Sequence, residues 1–359
     1  MRPTILGIVG DSGSGKTTIT RGLVRVLGED KVSHFCTDDY HRFDREQRAE
    51  RGITPLNPEC NHIDILAQHL AHLRRGEPIL KPVYRHTDGT FGPPVYFRPG
   101  LFAVVEGLLG YHTSDLREMY DVRVYLDPPE ELRRRWKVAR DCTRRGYTTD
   151  QVLAELDRRE PDSEAYIRPQ RHWADIVVRF EPGASDEQDK LDACLVLRDT
   201  PRHPDLSGVV GENDADGLTL IERAGEQELR VPGTIDPARA AAIEEVIWER
   251  MQFASHLRQQ RLGEFTVGTD LRRSESLALV QLIILYHQVT ARASIATGGD
   301  GARTSAGRTR AVPVVAQAGE RRAGSGSRVG AAKAAEGRVT GSVPAADGSA
   351  APAAASGRG

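Results

Sequence analysis

Three short clusters carry residue types that could handle a phosphate ester. Gly10-Asp11-Ser12-Gly13-Ser14-Gly15-Lys16-Thr17, with Thr18 behind it, fits G-x-x-x-x-G-K-[ST] in full. The glycines of such a turn let backbone N–H groups close on phosphate oxygens, and the following helix N-terminus favours the anion. Lys16 reaches the terminal phosphates and the Thr17 hydroxyl suits Mg²⁺. The second cluster, Asp38-Asp39-Tyr40-His41-Arg42-Phe43-Asp44-Arg45, sets a carboxylate three residues before an imidazole and a guanidinium four residues after it. A helical turn there would align a base with an anion clamp; a solvated, charged loop is the alternative reading of the same spacing. The third is Glu106, an acid closing the apolar run 101–105, placed to bind Mg²⁺ beside the phosphates.

Each cluster needs an element behind it. Residues 5–9 form a short apolar run of buried-strand type, and over 16–27 Ile19, Leu23, Val26 and Leu27 share one helical face, so strand, loop and helix follow in the required order. Residues 31–37 read as a second strand that delivers Asp38 to the carboxyl edge of a parallel sheet, where ligands bind. Further strands at 101–105, 122–126 and 175–180, with helices at 63–73 and 130–145, predict a doubly wound, mainly parallel α/β sheet with flanking helices. His62, His69 and His72 lack a completing cysteine or carboxylate and read as surface groups. The prolines of 78–100 predict a long irregular connection with short hairpin strands around Tyr84 and Val95.

The helix at 130–145 is dense in positive charge: Arg133, Arg134, Arg135, Lys137, Arg140, Arg144 and Arg145. A solvated helix or a nucleic-acid patch would account for it, but beside a phosphate loop a cationic lid over the transferring group is favoured. In the whole chain of 359 residues the net charge of −2 argues against a nucleic-acid coat. No apolar run reaches the roughly 18 residues a membrane span needs. The chain enters its first strand at once, which leaves no room for a secretory signal, so a cytoplasmic location is expected. Cys36, Cys60, Cys142 and Cys194 lack C-x-x-C spacing, which suggests neither a zinc site nor a disulfide framework.

These motifs, in this order, resemble the phosphoribulokinase and uridine kinase family, and within it the plant and cyanobacterial type of phosphoribulokinase. The resemblance covers about residues 4–290 and rests on GDSGSGKTT, TDDYHRFDR, VVEGL, YDVRVYLD, REPDSEAYIRPQ and the K-x-x-R-D-x-x-x-R run of Lys137, Arg140, Asp141 and Arg145. It implies a P-loop kinase core at 1–200 with its basic lid helix near 130–145; beyond that core, composition and patterning predict a small α+β extension at 201–293 packing on it and a disordered Ala/Gly/Ser/Arg tail at 294–359. In the extension, runs such as 218–221 predict a small mixed sheet, and the stretch 277–289 is apolar nearly all round, a core or interface helix.

The function implied is ATP-dependent phosphorylation of the 1-hydroxyl of D-ribulose 5-phosphate, a Calvin-cycle step. Asp38 takes the position of the base, His41, Arg45 and Arg145 the sugar-phosphate contacts, and Glu106, with Thr17, the metal site. Lys16, Lys137 and Arg140 serve phosphoryl transfer, with Asp141 in support. A homo-oligomer, with a dimer favoured, belongs to the same expectation. Plant-type members carry a redox cysteine in the phosphate loop where this chain has Ser14, so the resemblance implies that this regulation is lost. A kinase for uridine or another small alcohol is the alternative. A nucleotide-binding regulator without catalysis is a third reading, disfavoured by the presence of both Asp38 and Glu106.

Overall fold

Every residue of β1 (Thr4–Gly10) is buried, as a central parallel strand covered on both faces must be. In the computed structural model the chain continues through α1 (Lys16–Leu27), β2 (Val32–Cys36), a 3-10 turn at Thr37–Tyr40, α2 (Arg45–Arg51), α3 (Ile63–Arg74), β3 (Ile79–Arg85), β4 (Thr90–Phe97), β5 (Phe102–Gly107), α4 (Ser114–Met119) and β6 (Val122–Leu126). There follow α5 (Glu130–Arg145), α6 (Thr149–Asp162), β7 (Ile176–Pro182), β8 (Leu191–Arg198), β9 (Thr219–Arg223), β10 (Glu226–Val231), α7 (Pro237–Arg250), β11 (Glu264–Val267), β12 (Asp270–Arg273) and α8 (Glu275–Ala296). The structure describes residues 2–299 apart from 184–189, 201–202, 208–209, 211–216, 258–261 and 268–269. All of these lie in one unit, Met1–Arg310, and the second unit, Ala311–Gly359, lies outside the described residues. So does the expected disordered tail from residue 300 onward; its first residues extend α8.

The main sheet is eight-stranded, in the order β2-β5-β1-β6-β7-β8-β10-β9. Its β2, β5, β1, β6 and β7 run parallel, while β8, β10 and β9 join antiparallel. The neighbours of β1 are β5 on one side and β6 on the other, so the chain switches direction across the sheet at β1, and the crevice opens at the carboxyl end of that strand. Alternation along β1 feeds two cores. Leu6 and Ile8 pack with α1, α7 and α8, and Ile5 and Val9 pack with α3 and α4.

One sequence expectation is refined and one is corrected. The hairpin strands expected around Tyr84 and Val95 are present and longer than expected, as the antiparallel ribbon of β3 with β4, which leaves less of 78–100 irregular. The ribbon stands outside the main sheet, where prolines interrupt no central ladder, and the register shifts between Lys81 and Val83, around Pro82. The extension makes no small sheet of its own from 218–221, because β9 and β10 complete the main sheet through β8. The apolar stretch 277–289 lies inside the 22-residue α8, which packs on β1, β6 and β8. Two buried amides tie it to the core: Gln281 donates to Thr18 O at 3.3 Å and accepts from Gly263 N at 2.8 Å, and Gln288 donates to Thr4 O at 3.2 Å, while Gln288 Oε1 has no hydrogen-bond partner among the described residues. Gly22 of α1 faces Gln281, where any β-carbon would stand 2.2 Å from its Nε2 atom. Among the described residues no helix is long and apolar enough to cross a membrane.

Candidate active site

The phosphate loop links β1 to α1. The Lys16 ammonium donates to Gly10 O and Asp11 O, each at 2.8 Å, within the loop itself. Burial lowers its pKa, against the opposing charges of Glu106, Asp38 and Asp11. One strand over, the register Cys36↔Glu106 brings the ends of β2 and β5 level. The buried Glu106 carboxylate accepts from Thr20 Oγ1 at 3.1 Å and from Thr17 Oγ1 at 3.4 Å, with His34 Nε2 at 3.3 Å. Burial alone would raise its pKa, but His34, Lys16 and Thr20 together hold it below the ordinary value. A hydroxyl and an ionised carboxylate beside a phosphate-binding turn are the hard oxygen donors that suit Mg²⁺, which takes one or two carboxylates and keeps its remaining sites for phosphate and water. Among the described residues no cluster of three or more His, Cys, Asp or Glu forms a protein-only metal cage.

Asp38 lies in the 3-10 turn that continues β2. Burial would raise its pKa, yet His41, His86, Lys16 and Arg159 lower it overall. Burial also lowers the His41 pKa despite the nearby Asp38 charge, so at neutral pH the imidazole is uncharged. His86 Nε2 is 3.7 Å from Asp38 Oδ2. His41 is wedged, with Nδ1 at 2.8 Å from Asn61 Oδ1 and its ring edge-on to Tyr84 at 4.9 Å.

Asp38, His41 and Arg45 do not share one helical turn. The 3-10 turn stops at Tyr40, and a capping box at Asp44 starts α2 at Arg45; such caps stabilise a helix start by about 1 kcal/mol. The Arg45 guanidinium donates to His86 O at 2.7 Å.

The basic helix is α5, and it rests on the phosphate loop. Arg133 Nη1 donates to Ser12 O at 2.9 Å and lies 3.5 Å from Asp11. Gly13, at φ +87°, sits under Lys137, whose Cβ would be 3.0 Å from any β-carbon added there. Asp11 also accepts from the Ser163 hydroxyl, which follows α6. Asp141 gathers the cations of the motif: Lys137 Nζ at 2.8 Å, Arg140 Nε at 2.8 Å and Arg145 Nη1 at 3.5 Å. Burial opposes ionisation of Asp141, but Arg140 and Lys137 bring its pKa down to about 2.

Burial, with Arg159 and Arg140 adding their charge, lowers Lys137 to about 8 against the pull of Asp141. The folded value lies below the unfolded 10.5, so Lys137 costs stability at neutral pH, and that cost fades as pH rises from about 8 to 10.5. If its charge serves transfer, kcat falls as pH rises through about 8. In Lys137→Arg, whose guanidinium stays charged, that alkaline limb disappears; a pH–rate profile of both proteins checks it.

The motif residues thus fall into three groups around one loop: Lys16, Thr17 and Glu106; Asp38 with His41; and Lys137, Arg140, Asp141 and Arg145. Thr20, His34, His86 and Arg159 were not singled out from the sequence, whereas Arg133 appeared there among the cations of the basic helix. Of those four, only Thr20 had a local signal, lying one helical turn after Lys16 on the same face.

All four cysteines are free. Burial, Asp38 and Glu106 push the Cys36 thiol well above its ordinary pKa, which keeps it protonated and unreactive. Ser14 Oγ, in the loop, is buried with no hydrogen-bond partner among the described residues. With serine at that position Cys36 has no sulfur there to meet, so activity should be equal after mild oxidation and after dithiol reduction. A reversible oxidative loss with a Cys36 disulfide detected by mass spectrometry would contradict this.

A sequence profile of the Phosphoribulokinase / Uridine kinase family matches residues 5–185. The chain belongs to this family. It is 39% identical over 192 residues to a phosphoribulokinase of Synechocystis sp., covering 53% of this chain and 58% of that one. It is 33% identical over 181 residues to a uridine kinase of Staphylococcus epidermidis, covering 49% of this chain and 86% of that one. The chain spans about half the length of the curated phosphoribulokinases it matches. Among solved structures, a phosphoribulokinase from Rhodobacter spheroides aligns over 71% of this chain and 99% of its own, with a TM-score of 0.50 at 19% identity, which supports the fold.

Proposed function

We propose that the chain transfers the γ-phosphoryl group of ATP to the 1-hydroxyl of D-ribulose 5-phosphate, giving ribulose 1,5-bisphosphate and ADP, the step that supplies the CO₂ acceptor of the Calvin cycle. The observation that carries the reading is the setting of Asp38: an ionised carboxylate at the carboxyl edge of the sheet, beside the phosphate loop, under the charges of Lys16 and Arg159. Asp38 takes the proton of the 1-hydroxyl, the freed oxygen attacks the γ-phosphorus in line, and the bond to the ADP oxygen breaks. Lys16, Lys137 and Arg140 face the charge that builds on the transferring oxygens. Thr17 and Glu106 would hold Mg²⁺, which when bound neutralises charge shared between the β- and γ-phosphates.

Arg45 and Arg145 supply cations on the acceptor side, and Arg145 lies within electrostatic reach of Asp38. Such charge suits a sugar that already carries a phosphate and has no use for uridine. His41 belongs to the same side as a buried, neutral imidazole. A panel of ribulose 5-phosphate, uridine, ribose 5-phosphate and pantothenate with ATP tests the reading. Turnover of uridine in preference to ribulose 5-phosphate would replace it with the uridine kinase alternative, and no turnover at all would leave a nucleotide-binding regulator.

A homodimer forms part of the proposal, supported by the exposed apolar Leu80, Val95 and Tyr96 on the β3–β4 ribbon. So does a cytoplasmic location, where the four free cysteines would stay reduced.

A further inference from the structure

Asp38 is followed by a second aspartate that turns away from the crevice. Asp39 pairs through Oδ2 with the Lys81 ammonium, and its Oδ1 accepts from Tyr84 N at 2.9 Å. Both side chains are largely buried, at 15% and 10% exposure, and Lys81 Nζ also donates to Pro82 O at 3.0 Å. The register shift around Pro82 explains how one strand delivers both groups. Ile79 and Lys81 face inward with the usual alternation, and after the bulge it is Tyr84, not Val83, that is buried.

Tyr84 then leads to the acceptor side. Its hydroxyl accepts from Arg48 Nη2 at 2.6 Å, and its ring stands edge-on to His41 at 4.9 Å and to His86 at 5.1 Å. His86 in turn lies beside Asp38, and its carbonyl takes the Arg45 guanidinium. A free two-stranded ribbon is marginal in water, and this one leaves Leu80, Val95 and Tyr96 exposed. A buried ion pair adds little net stability over an apolar pair of the same shape, while loss of one partner is costly. Its contribution here is geometric.

We infer that Asp39 and Lys81 form a positioning latch, which pins the β3–β4 ribbon to the turn bearing Asp38 so that Tyr84 and His86 close the acceptor side of the site. The inference rests on Asp38 being the base. Adjacent aspartates then divide the work: one meets the acceptor and the other fixes the wall opposite it. Neither Asp39 nor Lys81 touches the reacting atoms.

The test is Lys81→Met in the full chain. Its kcat/KM for ribulose 5-phosphate should fall ~10²-fold, the scale of an ångström-sized misplacement, with KM for ATP within ~2-fold of wild type. Amides of residues 79–97 should exchange at least ~10-fold faster while those of β1 and β5 do not change. Lys81→Arg, which keeps the charge, should recover most of the acceptor kinetics. If Lys81→Met does not fold, the double variant Asp39→Asn/Lys81→Met, which leaves no buried charge unpaired, takes its place. Unchanged ribbon exchange, or acceptor kinetics within ~3-fold of wild type, would overturn the latch. Should wild type fail to phosphorylate ribulose 5-phosphate, the substrate reading falls by itself, and ribbon exchange still decides the latch.

Discussion

Asp38→Asn should lower turnover at least ~10²-fold while ATP affinity stays nearly intact, because a positioned general base contributes 10²- to 10⁴-fold. The amide keeps the shape of the side chain but cannot accept the hydroxyl proton. Lys16 and Arg159 act on Asp38 through space, whereas α5 and the phosphate loop are tied by Arg133 to Ser12 and Asp11, which the substitution leaves alone. Nucleotide binding and the seat of α5 on the loop should therefore be independent of it. Single-turnover kinetics with an ATP-binding titration on the same preparation separate the two, and near-normal turnover would remove Asp38 from the chemistry.

Glu106→Gln should be the second severe change, with kcat down by about 10²- to 10³-fold, the range seen when a group that stabilises transition-state charge is removed. Its half-saturating Mg²⁺ concentration should rise, since a neutral amide is a poor ligand for a hard cation. The amide can still accept from Thr20, but the fold loses a carboxylate that His34 and Lys16 hold ionised, so the melting temperature should fall as well. Activity against Mg²⁺ concentration, with a melting curve alongside, checks both halves. An unchanged Mg²⁺ dependence would place the metal elsewhere.

The groups that were legible in the sequence are those set by local pattern. Lys16 and Thr17 follow from a contiguous motif between a strand and a helix, Glu106 from an acid at the end of an apolar run, and Lys137 and Asp141 from the family's motif on a basic helix. The parallel half of the main sheet follows from apolar runs alternating with helices. What stayed hidden depends on long-range placement. His86 reaches Asp38 only because the ribbon folds back on the 3-10 turn, and Arg159 only because α6 returns along α5. The strands of the ribbon were legible around Tyr84 and Val95, but its prolines hid their length. No local feature of β10 says that it would pair with β8 as well as with β9.

The position of α8 has a kinetic consequence. The strand that carries the phosphate loop leaves the ribosome well before α8, yet its backbone at Thr4 is bonded to Gln288, 284 residues later, and α1 at Thr18 to Gln281, 263 residues later. Until that helix has been made, Leu6, Ile8 and Leu23 lack one wall of their core. A nascent chain must therefore keep the phosphate-loop core unfinished until α8 emerges, with apolar surface open to chaperones and to aggregation. Contacts of such sequence separation also slow the closing step. A chain halted before residue 275 should bind no nucleotide, although every motif residue of the site is already present in it.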